Sequence, residues 1–219
     1  MANTKSRTLT LINSILLLML MQAIRWFLVR RIGADVHGNA QLGLTASIMV
    51  LLTLSAFILA LSRFWRLRLY LLPAFTSTKD RMLYIAATCV TVFVLVTAPI
   101  RAGGFSLSVT TSLLYSAVIL PAFEELVFRG YLWARLRKSF SPEITVCMVT
   151  SLLFAAWKVG YGDLWTFGGG FSAVDFFTAL LTVTVSGLVL GLVTGTARLL
   201  SKNCVPGLLV HMVLAAAVY

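Results

Sequence analysis

The sequence predicts an all-α fold, a polytopic transmembrane helical bundle of about seven, or eight, membrane helices, and three observations carry that prediction. Hydrophobic residues make up 59% of the chain and charged residues only 11%, with a mean hydropathy of +0.95. Those values lie far outside the range of a water-soluble globular domain. The apolar residues are gathered into runs of about 20, the length that crosses the hydrocarbon core of a bilayer. Short basic connections separate the runs, as in segments that set membrane orientation. Such runs account for most of the 219 residues, so 1–219 reads as a single integral membrane domain with no room for a soluble one.

Each element follows from its own residues. Lys5 and Arg7 precede an apolar run over 9–28, the layout of a signal peptide. No small-x-small cleavage site follows it, and Arg25, Arg30 and Arg31 come instead, so the run reads as a retained first helix. The polar stretch 30–41, with Asp35 and His37, is a loop, and His37 is given no role. A second helix covers 42–61. Arg63, Arg66, Arg68, Lys79 and Arg81 crowd the next segment, whose Phe64, Trp65 and Tyr70 suit an interfacial position. Pro73 and the polar residues 76–80 break it before a third helix over 82–100. The fourth and longest helix covers 107–136. Its Pro121 removes one backbone hydrogen bond and can kink the helix, opening space beside it. Ser141-Pro142-Glu143 starts a fifth helix that ends near Lys158, since Pro and Glu favour a first turn. The stretch 161–171 is a glycine-rich aromatic loop in which Gly168, Gly169 and Gly170 form no phosphate-binding pattern; Asp163 and Asp175 beside it read as caps or solvated groups. The sixth helix, over 174–200, carries Gly187, Gly191 and Gly195, a doubled G-x-x-x-G face suited to close helix packing. The last run, 206–219, is about 14 residues or about 21 Å of helix. It is short for a span, and either begins deep in the bundle or is cut short.

The net charge of +11 is not that of a nucleic-acid binder, because no basic stripe is interleaved with exposed aromatics on a polar domain. Twelve lysines and arginines fall at the N-terminus and in the connections near 63–81, 135–142 and 198–204, against three (Arg30, Arg31 and Arg101) in the alternate ones. That asymmetry predicts a cytoplasmic N-terminus. Cys89, Cys147 and Cys204 are odd in number, scattered and flanked by apolar residues, so they form neither a disulfide framework nor a zinc spacing and read as small core residues.

Only seven residues are acidic, and two of them, Glu124 and Glu125, stand side by side inside the fourth apolar run with Arg129 after them. A charge at such a depth costs about 2.5–3.5 kcal/mol on insertion scales, which makes each ionisable group there a functional candidate. Glu125 and Arg129 are four apart and share a helix face, while Glu124 points about 100° away. The spacing therefore pairs Glu125 with Arg129 and leaves Glu124 free to face a cavity. A carboxylate taken out of water is also a better proton acceptor than one in solution. Lys158 on the fifth helix and His211 on the last add polar groups at plausible depth.

The segment Glu124-Glu125-Leu-Val-Phe-Arg129, followed by Gly130-Tyr131-Leu132, resembles the first motif, Glu-Glu-x-x-x-Arg, of the CAAX prenyl endopeptidase and bacteriocin-processing (CPBP, Abi-type) intramembrane protease family. Phe154-Ala-Ala-Trp-Lys158 is similar to that family's Phe-x-x-x-His, with lysine where the family has histidine. His211-Met-Val-Leu-Ala215 is similar to its His-x-x-x-Asn or Asp, with alanine in the last place. Gly187-Leu-Val-Leu-Gly191, about 20 residues before the histidine, is also family-like. The resemblance covers about 112–219.

It implies an intramembrane peptidase in which Glu124 activates a water, Glu125 and Arg129 brace it, and His211 stabilises the oxyanion or ligates a metal. A zinc held by Glu124 and His211 is the implied cofactor, weakened because one of the two family histidines is replaced. The implied partners are the lipid bilayer and a membrane-associated protein or peptide substrate. Lys158 admits three readings: an acid/base or electrostatic partner of Glu124; an ammonium that neutralises Glu124 and leaves an inactive, peptide-binding immunity or scaffolding member of the family; or a surface side chain snorkelling out of the site. A transporter is disfavoured, because neither inverted repeats nor paired Gly/Pro-broken helices are present.

Overall fold

The structure is a computed structural model that describes residues 4–34, 40–73, 75, 77–162 and 173–218. Asp35, His37, Asp163 and the glycines at 168–170 lie outside the described residues, as does the side chain of Asp175. Seven helices run in sequence among the described residues: α1 (Thr4–Ala34), α2 (Ala40–Phe64), α3 (Thr78–Arg101), α4 (Leu107–Leu136), α5 (Glu143–Val159), α6 (Ala173–Ser201) and α7 (Val205–Ala217). No strand accompanies them among those residues. Five helices, α1 to α4 and α6, are long and apolar enough to cross a membrane. At 17 and 13 residues, α5 and α7 fall short of a full span.

The helix ends obey local chemistry. Ser77 caps α3 by accepting the Asp80 amide at 3.1 Å, and Ser106 caps α4 by accepting the Val109 amide at 3.2 Å, each supplying a partner for an orphan donor of the first turn. α7 starts where the Asn203 side chain accepts the Val205 amide at 3.1 Å, with Pro206 in the first turn, where its missing N–H costs nothing. At the other end of α7, Arg101 donates to the Ala216 carbonyl at 3.1 Å. α1 continues to Ala34 beyond the expected loop boundary, and Arg30 stacks one turn above Trp26 at 5.0 Å.

The axis of the bundle is α4. Half of its apolar window is buried against 11–28% for the other four spans, because α2, α3, α5 and α7 all pack on it. Around Pro121 the helix changes its hydrogen-bond register. Residues Leu114–Ile119 and Leu126–Leu132 are π-helical, with the Leu120 amide reaching the Tyr115 carbonyl five residues back. A ring that cannot donate is thus accommodated by wide turns on both sides of Pro121–Glu125, and such turns often mark functional positions.

The glycine face expected on α6 packs on a stripe of small residues on α5. A Cβ at Gly191 would lie 3.1 Å from the Ser151 carbonyl, one at Gly195 2.9 Å from Cys147 Sγ, and one at Gly187 3.2 Å from Ala155 Cα. Small residues on both helices let the backbones meet.

The basic connections share one end of the bundle. Cys204 of the α6–α7 turn donates from its amide to the Tyr70 carbonyl at 3.2 Å, Lys202 and Arg137 both pair with Glu143 at 2.6 and 2.7 Å, and Thr10 of α1 hydrogen bonds Ser139 at 3.0 Å. Two details differ from the sequence reading. Arg198, counted there among the connection charges, is inside α6 and 3% exposed. Cys89 is exposed on the outer face of α3, whereas Cys147 and Cys204 are buried as expected.

Candidate active site

Glu124 lies 12 residues from the basic end of α4, about 18 Å along the helix. Both it and Glu125 are buried, as are Arg129 and His211. Glu124 Oε2 takes two contacts: the Lys158 ammonium from the last turn of α5 at 2.7 Å, and His211 Nε2 from α7 at 3.5 Å. The other face of the imidazole turns to Glu125, with Nδ1 at 3.3 Å from Oε1. The ring therefore bridges the carboxylates, which the sequence spacing did not reveal.

The expected pairing of Glu125 with Arg129 is present at 3.7 Å between Oε2 and Nε. The guanidinium is held chiefly elsewhere, by a 2.6 Å hydrogen bond from Nη2 to the Gly191 carbonyl of α6 and by the face of Phe154 at 4.7 Å. Phe154, which the motif frame singled out, is the platform under the whole cluster: Lys158 Nζ lies 5.1 Å from its centroid and the His211 ring packs edge-on at 5.9 Å. Ala215, one turn beyond His211, packs instead with the small apolar cluster of Ala98, Leu113, Ala117 and Ala216. A methyl group there carries no hydrogen-bonding function.

Two carboxylates thus face one guanidinium and one ammonium, which balance formally with a neutral imidazole. That balance is what allows such a cluster to sit away from water. Of the three readings of Lys158, snorkelling to the surface is overturned, because its ammonium is bound to Glu124. Glu124 Oε1, Arg129 Nη1 and Ser151 Oγ are buried and have no hydrogen-bond partner among the described residues.

Zinc does not fit this donor set. Where a ligated cation would meet Glu124 Oε2, a lysine ammonium already stands, and an ammonium has no lone pair to offer a metal. Among the described residues, no group of three His, Cys, Asp or Glu side chains is arranged to hold one.

Sequence reasoning missed the contributions of α6 and of the α7 start. The Gly191 carbonyl is a backbone group with no side-chain signature. Gly207 lets α7 approach, since a Cβ there would lie 2.9 Å from Glu125 Oε2. Arg198 donates from Nε to the Arg129 carbonyl at 3.3 Å; an arginine inside an apolar run was the available signal. Arg25, 2% exposed, donates to the Gly160 carbonyl at 2.8 Å and stacks on Tyr161 at 4.5 Å, fastening α1 to the end of α5 next to Lys158.

Comparison with known proteins agrees with this arrangement. No curated protein and no solved structure matches the chain. The family model described as type II CAAX prenyl endopeptidase Rce1-like matches residues 105–217, from the start of α4 to the end of α7. That stretch is more than half of the chain and holds Glu124, Glu125, Arg129, Phe154, Lys158 and His211. The chain is an integral membrane protein and belongs to the Rce1-like family of type II CAAX prenyl endopeptidases.

Proposed function

We propose that this protein is an intramembrane endopeptidase that hydrolyses a peptide bond in, or beside, a membrane-embedded segment of another protein, with Glu124 as general base. One observation carries the reading: Glu124 Oε2 is held by Lys158 and His211 while its buried Oε1 accepts no hydrogen bond from a described residue. A carboxylate fixed by one oxygen presents the other in a set direction, as proton transfer requires.

In this mechanism Oε1 takes a proton from a water whose oxygen attacks the scissile carbonyl carbon. The carbonyl electron pair moves to oxygen, where the Lys158 ammonium and a His211 N–H stabilise the charge. The proton on Glu124 then passes to the departing nitrogen as the C–N bond breaks, giving a new carboxylate and a new amine. Glu125 and Arg129 orient His211 and the α4 backbone without touching substrate. No step passes through a metal. The basic end of the bundle, and with it the N-terminus, faces the cytoplasm.

A second reading rests on the 2.7 Å Lys158–Glu124 pair itself. An ammonium this close weakens a carboxylate as a base, so the chain would be a family member that binds hydrophobic peptides without cutting them. The two readings separate when membranes containing wild type, Glu124→Gln and Lys158→His are compared for newly formed protein termini by mass spectrometry. Termini present with wild type and lost with Glu124→Gln support the peptidase. Termini that arise only with Lys158→His show that the natural lysine silences the site.

A further inference from the structure

The basic end of the bundle holds a cavity of about 410 Å³ that plays no part in the chemistry above. It is lined by Arg66, Arg68 and Tyr70 from the α2–α3 connection, by Trp133, Ala134, Arg137 and Lys138 from the end of α4, and by Arg198 from α6. We propose that this cavity is a binding site for the phosphate of an anionic phospholipid headgroup.

The charge of the lining is the first ground. Five cations and no carboxylate line the cavity. Arg137 is neutralised by Glu143 at 2.7 Å, but Arg66, Arg68, Lys138 and Arg198 form no ion pair with a carboxylate among the described residues. Arg198 matters most, because it is 3% exposed and a buried guanidinium without an anion is costly. Its contacts are the Arg129 carbonyl at 3.3 Å and the rings of Trp133 at 5.5 Å and Tyr70 at 5.8 Å. None of these cancels its charge.

The second ground is that the site is built rather than a chance gathering of loop charges. Arg66 and Tyr70 both hold a left-handed backbone, with φ of 49° and 48°, a conformation that non-glycine residues keep only when their surroundings fix it. The α6–α7 turn does the fixing: the Cys204 amide donates to the Tyr70 carbonyl and its thiol to the Leu69 carbonyl at 3.7 Å. The third ground is position. The cavity lies between helix ends on the basic side of a membrane bundle, at the level of Trp65 and Trp133, where headgroup phosphates lie and where basic pockets between helices bind them. Guanidinium forks suit phosphate oxygens in particular.

The test uses the full chain in mixed micelles, with native mass spectrometry counting phosphatidylglycerol retained against phosphatidylcholine. The wild type is expected to retain phosphatidylglycerol selectively. Arg66→Gln with Arg68→Gln, both exposed and outside the fold's core, should weaken it roughly thirtyfold, a factor of about five per cation. Arg63→Gln with Lys79→Gln, which removes the same charge at the same end away from the cavity, should change it little. Arg198→Lys, which keeps the charge and loses the fork, should weaken it further than the control pair if the variant folds; the exposed pair decides the matter if it does not. Equal losses in the two double variants would overturn the proposal in favour of diffuse surface attraction. Tight binding of inorganic phosphate or glycerol 3-phosphate in lipid-free detergent would overturn the lipid as the source.

Discussion

Lys158 carries an ammonium on four methylenes to a carboxylate that no water-facing cation reaches, and the rest of the site is arranged around that contact. Glu124 is fully buried and Lys158 nearly so, with 18% of its side chain exposed. Removing one partner of such a pair strands the other as an uncompensated charge. Lys158→Met is therefore expected to destabilise the protein by about 3–5 kcal/mol, and Lys158→Met combined with Glu124→Gln to recover much of that loss. Denaturant titration of the four proteins in detergent gives the coupling directly; additive effects would show that the 2.7 Å contact has no energetic consequence. Phe154 supports three charged or polar groups at once. Phe154→Leu should thus lower activity by more than it lowers stability, which a comparison of cleavage rate with unfolding midpoint would reveal.

At the level of elements, the site depends on how closely α6 lies on α5. Gly191 brings its own carbonyl to Arg129 at 2.6 Å because nothing but hydrogen separates its Cα from Ser151. Gly191→Ala would set a Cβ 3.1 Å from the Ser151 carbonyl, a backbone atom that cannot step aside. The expected cost is about 1–3 kcal/mol, together with reduced cleavage as Arg129 loses its anchor. Gly43→Ala in α2 is the control, since a Cβ there meets nothing within 4 Å and alanine is the better helix former by about 1 kcal/mol. The α6 glycine stripe, the 107–136 span of α4 and the start of α5 at Glu143 were all legible in the sequence, because hydropathy, basic connections and first-turn residues mark them locally. The π turns around Pro121 were not, since a hydrogen-bond register has no residue signature. Nor was the bridging of both carboxylates by His211, which is set by where α7 docks through Gly207. The Glu124–Lys158 and Glu124–His211 proximities follow motif spacing, whereas the Gly191 carbonyl and the Arg198 contact depend on tertiary packing alone.

Across the whole molecule, one end is a basic rim cross-linked by Glu143, which joins the α4–α5 loop to the α6–α7 turn through Arg137 and Lys202. The hydrogen bond from Lys202, aided by Arg137, holds the Glu143 carboxyl below the usual carboxylate range despite partial burial. A carboxylate so depressed contributes its stability in full above the ordinary carboxylate range and loses it as the pH falls through its lowered value. Unfolding followed against pH should show Glu143→Gln weaker than wild type at neutral pH, by a modest amount for so exposed a pair, with the two proteins converging in acid; parallel curves would remove Glu143 from the account. The fold and the membrane setting follow from hydrophobicity distributed over seven helices, and the family from three short motifs laid on three of them. The chemistry reduces to one carboxylate at mid-depth with one oxygen held and the other open. Its most direct test is the cleavage rate of a substrate identified from the membrane comparison, measured for purified wild type and Glu124→Gln under the same conditions. The account predicts a fall of at least about a hundredfold, the least expected for losing a general base; an unchanged rate with Glu124→Gln would contradict it.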